Sequence, residues 1–494
     1  MNPLTKFKNS DNYTKYSVIT IIFFSIIVLF LASIYHVSGD GCWHISSAKF
    51  ISNNLKIPFH EPLGRDEPFW SPPLYHFTVA FIYFNFNSFS HTAANFAIKF
   101  VSPIFGILAL IFSFLVIKKL SNSKIAFYSI IFLSFFPIII DYSVLSYVES
   151  MLLFFVVLSV YFMINKKPVL SAISAGLAIL TKYNGVFILP VLVYLVYRNF
   201  EKKESCKKST VVIFISLLVA SPWLIRNWIL LGNPVWPFLN FIFKGIELKS
   251  YSTANLHNLI SLGLFIATYL GFFGVPDGNY NLLSSLNVPY INIFLAIWII
   301  GTIIFVIPLI IGFFKKKNHS KLLAIWIISY FILFLLYVAN VGFSVSRIIL
   351  PAFPAIAVIW AFGLESLIKN KRKLIAVILT LIMIGFVFAS FAKFSYASKS
   401  WDFYEQDFEW ARSNTPLNSV FVAEGQCVPF NLERTSLYAT SESLNKADYI
   451  WVNQNFNLDA RSILSKEKIN QIQSRNYKIE YENKKTGTII YKTK

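Results

Sequence analysis

Residues Asp40–Tyr75, DGCWHISSAKFISNNLKIPFHEPLGRDEPFWSPPLY, separate the first long apolar run of the chain from an amphipathic segment that leads to the second. This stretch gathers four acids in a chain otherwise dominated by Ile, Leu, Phe and Val: Asp40, Glu61, Asp66 and Glu67. A carboxylate at the mouth of a membrane helix is costly unless it faces water or a partner, which favours a functional role for Asp40. An acid that merely ends a helix at the lipid–water interface would look the same. Both interpretations stay open on this residue alone.

The composition predicts a polytopic membrane protein. Of 494 residues, 56% are apolar and only 14% are charged, and apolar runs of membrane-spanning length recur along the chain. The net charge of +20 is concentrated in short clusters between these runs, where the positive-inside rule places Lys and Arg. Membrane lipids, and not nucleic acid, are therefore the predicted surroundings.

The three cysteines, Cys42, Cys206 and Cys427, have no spacing typical of metal ligands. Neither a zinc site nor a disulfide framework is indicated. Cys42 and Cys427 fall on the same predicted side of the membrane. Whether they pair stays open, because a disulfide requires a short distance that sequence separation does not report.

The first apolar run, Tyr16–Tyr35, follows a basic segment and lacks a cleavage motif, so we expect an uncleaved helix with a cytoplasmic N-terminus. The loop over residues 36–95 then lies outside. Within it, Leu74–Phe86 is too short to cross comfortably and predicts a helix in the membrane interface.

Ten further apolar runs bring the predicted spans to about eleven, with basic loops on alternate sides. They lie near Phe96–Ile117, Ile125–Ile140, Tyr147–Ile164, Val169–Leu180, Gly185–Tyr197, Val211–Leu230, Ile291–Phe314, Leu322–Ala339, Ile348–Leu367 and Leu374–Phe394. A membrane crossing at Leu259–Phe273 would place the last basic loops on the outer side. This segment is therefore assigned to an external interfacial or re-entrant helix. The expected location is the cell membrane.

Charge becomes balanced near residue 398, which predicts a membrane domain over 1–397 and a small soluble domain over 398–494. An amphipathic helix is predicted at Trp401–Ser413, followed by strands in SVFVAEG, SLYAT and ADYIWVNQN. A helix at Lys466–Arg475 and a hairpin turned at Lys484–Gly487 complete an α/β domain. After an odd number of spans, this domain is extracytoplasmic.

Four charged residues recur at predicted outer ends of helices: Glu149, Lys182, Arg226 and Arg347. Tyr142, Ser146 and Glu149 would form one polar stripe if this stretch is a continuous helix. Each cation alone is explained by a side chain that reaches the interface. Their shared external placement runs against the positive-inside bias and favours a functional cluster.

These motifs resemble the GT-C superfamily of membrane glycosyltransferases, and within it the branch of protein O-mannosyltransferases and lipid A aminoarabinose transferases. The resemblance rests on Asp40 followed by PPLY at Pro72–Tyr75, on Glu149 in VESMLLFF, and on the blocks GLAILTKYNG, PWLIRN and RIILPAFPAIA. It implies a GT-C-like helical membrane fold, a polyprenyl-phosphate sugar donor, and a first-loop acid that acts as base or positions the acceptor. Here Gly41 replaces the second acid of the usual pair and Glu149 replaces Asp, which leaves sugar and acceptor open.

The residue types suit this chemistry. Displacing a polyprenyl phosphate from an anomeric carbon requires a base for the acceptor hydroxyl, predicted to be Asp40. Glu149 is the second residue of the predicted catalytic pair, as an acid that supports Asp40 or as an acceptor contact. Five residues are predicted to bind substrate, the three cations holding the phosphate: Lys182, Arg226, Arg347, His44 and Tyr75. A single displacement predicts inversion, with a protein, lipid or glycan as acceptor.

No cofactor is predicted. His44, His60 and His76 lie near Asp40, Glu61 and Asp66 in sequence, so a divalent cation is an alternative. Their irregular spacing fits surface histidines equally well.

Two other functions compete with this one. A transporter or lipid flippase would use the intramembrane charges along a substrate path. Such folds show paired halves and charges near the midplane, whereas here the charges gather at predicted outer helix ends and the sequence shows no paired halves. An oligosaccharyltransferase would share the layout and carry a WWDYG-type sequence in its soluble domain. None is present after Trp401.

Overall fold

The computed structural model describes residues 10–65, 67–247, 268–274, 291–315, 320–341, 345–456, 458 and 463–493. These residues form two compact units, each described here by itself. The membrane unit comprises Met1–Phe30, Ser102–Val144 and Val148–Phe391, and the loop–tail unit comprises Leu31–Val101, Leu145–Tyr147 and Ala392–Lys494.

The apolar runs predicted as spans fold into helices. In chain order these are α1 Asn12–Ile34, α2 Asp40–Asn54, α3 Leu74–Asn87, α4 His91–Ala97, α5 Val101–Leu120, α6 Ser123–Phe135, α7 Pro137–Val144, α8 Glu149–Ile164, α9 Pro168–Thr181, α10 Leu189–Asn199, α11 Lys202–Leu231, α12 Asn240–Phe243, α13 Ile291–Phe313, α14 Ser320–Val341 and α15 Phe353–Asn414. Short 3₁₀ helices lie at Ile98–Phe100, Tyr183–Ile188 and Ser346–Ala352. The helix expected at Leu74–Phe86 is therefore present as α3.

Among the described residues, six helical segments are long and apolar enough to cross a membrane. They are Asn12–Ile34, His91–Leu120, Lys202–Leu231, Ser320–Ala339, Ser346–Ile368 and Leu374–Asn414. The count is seven if α6 and α7, bent by 61° at their junction, form one span. The bend lies at Pro137, which cannot donate the backbone hydrogen bond that a continuous helix requires. A polytopic helical fold is thus confirmed, and the number eleven stays a prediction.

The polar stripe predicted through Tyr142, Ser146 and Glu149 does not form. Helix α7 ends at Val144 and α8 begins at Glu149, so the four residues between them are not helical. The helix expected over 259–273 lies, up to residue 267, outside the described residues.

The tail is a mixed α/β lobe, as predicted. Its elements are β1 Val420–Val422, α16 Cys427–Leu432, β2 Thr435–Leu437, α17 Ser441–Lys446, β3 Tyr449–Asn453, α18 Lys466–Gln473, β4 Lys478–Asn483 and β5 Thr488–Lys492. The sheet order is β2-β1-β3-β5-β4, with β1 parallel to both neighbours and the last three strands antiparallel. Buried Val422, Ile450 and Leu444 belong to its apolar core.

The loop–tail unit also contains a disulfide that the sequence did not indicate. Cys42 in α2 is bonded to Cys427 in α16, with their Cα atoms 5.2 Å apart. Both residues are fully buried. Folding brings together two cysteines 385 positions apart, which no local spacing pattern reports.

Candidate active site

In the membrane unit, a buried carboxylate meets two cations. Glu149, 2% exposed, is the first residue of α8, where the helix dipole favours negative charge. Lys182 Nζ donates a hydrogen bond of 2.8 Å to Glu149 Oε1. Arg347 Nε lies 3.6 Å from the same oxygen, which is an ion pair longer than a hydrogen bond. The structure therefore brings together three of the predicted site residues.

Local chain geometry positions each of these cations. Lys182 is extended (φ −159°, ψ 139°) at the break between α9 and the following 3₁₀ helix. Gly185 allows that break to fold back closely, because a Cβ at this position would lie 2.4 Å from the carbonyl carbon of Ala178. Arg347 lies in the 3₁₀ helix that precedes α15.

Arg226 belongs to a second polar cluster of the membrane unit. Its guanidinium lies over the Trp223 ring at 4.8 Å and donates to Asn227 Oδ1 at 2.9 Å. Trp223 Nε1 and Asn227 Nδ2 each donate to the hydroxyl of Tyr183 at 2.8 Å. Tyr183 directly follows Lys182 in the chain. The Glu149 cluster and the Arg226 cluster therefore both include a residue of the short segment Lys182–Tyr183.

In the loop–tail unit, Asp40 is half-buried and opens helix α2. Its backbone N–H donates to the hydroxyl of Tyr147 at 2.9 Å. Gly39, just before it, has φ +57°, and a Cβ there would lie 2.5 Å from the Tyr147 hydroxyl oxygen. Only glycine fits this approach, so Tyr147 contacts the backbone that carries Asp40.

His44 follows Asp40 by one helical turn and is buried. Its Nδ1 lies 2.9 Å from Nε2 of His76, and its ring packs against fully buried Tyr75 at 5.8 Å. Burial, followed by the charge of His44, lowers the pKa of His76 well below its ordinary value. Tyr75 contacts His44 and is itself fully buried.

The other acids of the first loop have different surroundings. Glu61 is 5% exposed, and it accepts hydrogen bonds from Trp43 Nε1 at 2.7 Å and from Nε of Arg65 at 2.8 Å. Arg65 also donates its terminal NH2 and its backbone N–H to this carboxylate. Glu67 lies 3.8 Å from the same guanidinium. Asp66 lies outside the described residues.

A divalent-cation site was the alternative for this loop. Within the described ranges, no group of three or more His, Cys, Asp or Glu side chains is placed to hold a metal ion. His60 packs its ring against Phe59, with the ring centroids 4.8 Å apart.

Residues 71–226 match the family model described as dolichyl-phosphate-mannose-protein mannosyltransferase. Two solved structures are similar over nearly the whole chain. ArnT from Cupriavidus metallidurans bound to undecaprenyl phosphate has 12% identity and a TM-score of 0.63, covering 97% of this chain and 98% of its own. The oligosaccharyltransferase AglB from Archaeoglobus fulgidus, in complex with an inhibitory peptide and a dolichol-phosphate, has 14% identity and a TM-score of 0.57, covering 98% and 75%. No curated protein matches the sequence.

The chain has the fold of these two solved structures, and residues 71–226 match the mannosyltransferase family model. The resemblance drawn from its motifs is thereby confirmed. Sequence reasoning missed Tyr147 and Tyr183, although each stands within two residues of a predicted site residue. It also missed the His44–His76 contact, whose signal was only two histidines in one short loop.

Proposed function

We propose that this enzyme transfers a sugar from a polyprenyl-phosphate monosaccharide, dolichyl- or undecaprenyl-linked, to a protein, lipid or glycan hydroxyl on the outer face of the membrane. The family description names a dolichyl-phosphate sugar donor. The similar structures contain undecaprenyl phosphate and dolichol-phosphate. These names support a lipid phosphate as the shared chemistry, and leave the sugar and acceptor open.

The observation that carries the proposal is the grouping of two cations, Lys182 and Arg347, around one oxygen of Glu149. Both cations are partly exposed, with 20% and 19% of their side chains accessible. Charged donors bind phosphate oxygens strongly, and Arg347 offers a planar group suited to two of them. Arg226, held over Trp223, is proposed as a further phosphate contact.

Asp40 is the proposed base. As the acceptor oxygen bonds to the anomeric carbon, its proton passes to the Asp40 carboxylate. The bond from that carbon to the phosphate oxygen breaks, and the polyprenyl phosphate leaves as an anion held by the cations. A single displacement inverts the anomeric carbon. Glu149, paired with both cations, is proposed to orient them and not to exchange the proton.

His44 and Tyr75 are proposed to support the substrate site from behind Asp40. His44 shares the Asp40 helix face, and Tyr75 packs against His44 without exposed surface. No step requires a cofactor.

Mass spectrometry of lipid-linked sugars and glycans in cells lacking the protein tests this proposal. Accumulation of a polyprenyl-phosphate monosaccharide, with loss of one glycan, is the expected result. Restoration by the wild-type gene is the control. Unchanged glycans together with a lost transport activity would instead identify a transporter.

We also propose that the N-terminus is cytoplasmic and the tail lobe extracytoplasmic. Cys206 is an exposed free cysteine after the sixth predicted span, Gly185–Tyr197, so the alternation of spans predicts that its segment is cytoplasmic. A membrane-impermeant maleimide should therefore label it only after permeabilisation. Cys206→Ser should abolish the labelling. Labelling of intact cells would contradict this orientation.

A further inference from the structure

A short helix of the tail lobe, α16, is bonded to the segment that carries Asp40. Cys427, its first residue, forms the disulfide with Cys42, two positions after Asp40. Its sulfur also lies 3.6 Å from the carbonyl oxygen of Gly39. The covalent bond therefore meets α2 in the same turn as Asp40.

Two further contacts extend this attachment on either side of Asp40. Asn431 Oδ1, in α16, lies 3.2 Å from Nε2 of His36, just before Asp40. Glu433, directly after α16, accepts a hydrogen bond of 3.1 Å from Nζ of Lys49, further along α2. The segment His36–Lys49 is thus held before, beside and after the carboxylate.

Helix α16 is itself fastened within the tail lobe. Arg412, near the end of α15, donates to the carbonyl oxygen of Asn431 at 2.8 Å. Arg434 donates to the carbonyl oxygens of Arg412 and of Thr415, the latter at 2.9 Å. A residue that α16 contacts is therefore held by the tail lobe as a whole.

The start of α2 is held by these contacts together with the Tyr147 hydroxyl, which accepts a hydrogen bond from the backbone N–H of Asp40. Gly39, directly before Asp40, has a positive φ and the broad backbone freedom of glycine. A carboxylate at the first position of a helix takes its direction from this backbone. Among the described residues, the Cys42–Cys427 disulfide is the only covalent cross-link between this backbone and a second element.

We propose that Cys427 and Asn431 are positioning residues, through which the tail lobe holds the Asp40 carboxylate in the geometry that transfer requires. This inference rests on the proposed function, since Asp40 is the base there. Catalysis is sensitive to displacements of about 1 Å, which cost roughly a hundredfold in rate. The tail lobe therefore contributes to catalysis by holding Asp40 in place.

The test compares wild type with the double variant Cys42→Ala/Cys427→Ala, using Cys206→Ser as the matched control that removes a cysteine outside the attachment. Hydrogen exchange is measured over residues 36–49 and over β3 and β5. Binding is measured with undecaprenyl phosphate in detergent micelles. Transfer is measured with donor lipids extracted from cells lacking the protein.

We expect exchange over residues 36–49 to quicken in the double variant while β3 and β5 keep their protection, which shows that the lobe is still folded. The transfer rate should fall roughly ten- to a hundredfold, with undecaprenyl phosphate binding unchanged. The control should match wild type in all three measurements. A purely structural disulfide would instead lower protection in β3 and β5 or reduce binding.

Asn431→Ala provides a second route that leaves the disulfide intact. It should raise exchange over 36–49 and slow transfer, and Asn431→Asp, which keeps the acceptor oxygen for His36, should recover part of the rate. Unchanged exchange over 36–49 in both the cysteine and the Asn431→Ala variants would overturn the inference.

Asp40→Asn, assayed in parallel, separates this inference from the function on which it rests. A wild-type rate for Asp40→Asn refutes Asp40 as base. A slow Asp40→Asn beside a wild-type rate for the cysteine variant refutes the positioning role alone.

Discussion

Glu61 and Glu149 are both buried acids that contact cations, yet their partners differ. Glu61 accepts hydrogen bonds at both oxygens, from the guanidinium of Arg65 and from an indole N–H. Glu149 meets two cations through one oxygen, and its Oε2 has no hydrogen-bond partner among the described residues.

This difference shows that burial alone does not mark a functional acid. A buried acid whose oxygens both accept hydrogen bonds is explained by the fold. Glu149 instead holds two partly exposed cations from different elements at one oxygen, which suits the binding of a further anion. This difference supports the proposed role of the Glu149 cluster in substrate binding.

The largest expected effect on stability comes from Glu149→Gln. It removes the carboxylate that contacts Lys182 and Arg347, and breaking a buried pair in this way should destabilise the purified protein by about 3–5 kcal/mol. Undecaprenyl phosphate should restore more thermal stability to this variant than to wild type, because its phosphate replaces the lost charge. Thermal unfolding with and without the lipid provides the measurement, and an equal lipid effect in both proteins would contradict the assignment.

Glu61→Gln should cost about 3 kcal/mol, because partly exposed Arg65 loses its buried partner and keeps only Glu67, at 3.8 Å. Here undecaprenyl phosphate should add no extra stability. Glu67→Gln is the matched control, since Glu67 is 29% exposed and 3.8 Å from the same arginine, and should cost less than about 0.5 kcal/mol. A gain in the thermal stability of Glu61→Gln on adding undecaprenyl phosphate would contradict the distinction between the two acids.

The loop–tail unit should also be acid-sensitive through His36. Burial is the main cause that lowers the pKa of His36 to about 4, from an ordinary value of 6.5. The unfolded state therefore binds the proton first, and stability should fall as the pH drops from 6.5 towards 4, by about 2 kcal/mol at pH 5. Melting curves from pH 7 to pH 4 should show a shallower pH dependence in His36→Gln. Identical slopes would exclude His36 as the cause.

Arg347→Lys is the mildest of these changes. It keeps the charge but loses the planar group, so affinity for undecaprenyl phosphate should fall about tenfold, or about 1.4 kcal/mol. Arg198→Lys, in the predicted cytoplasmic segment, is the control. Equal affinities for wild type and Arg347→Lys would make Arg347 an interfacial anchor.

Local pattern predicted most of the fold. Apolar runs such as Tyr16–Tyr35 became helices because their length and hydropathy are properties of consecutive residues, and the alternating strands of the tail followed the same logic. The stripe through Tyr142 and Ser146 failed because the helix ends at Val144. That pattern assumed a continuous helix where the chain turns.

The site was predicted only as a set of residue types. Glu149, Lys182 and Arg347 were each recognised from charge at a helix end, but their contacts join residues far apart in sequence. The Cys42–Cys427 bond, 385 residues apart, and the Tyr147 contact with Asp40 depend on how helices pack. Such contacts leave no periodic signal in one sequence.

The most direct test of the account is the transfer rate of Asp40→Asn with extracted donor lipids, using protein matched to wild type in yield and monodispersity. Asn preserves the volume of Asp and removes the proton acceptor, so the rate should fall by roughly 10²- to 10⁴-fold, while undecaprenyl phosphate binding stays at the wild-type level. A wild-type rate of transfer would contradict the assignment of Asp40 as the base.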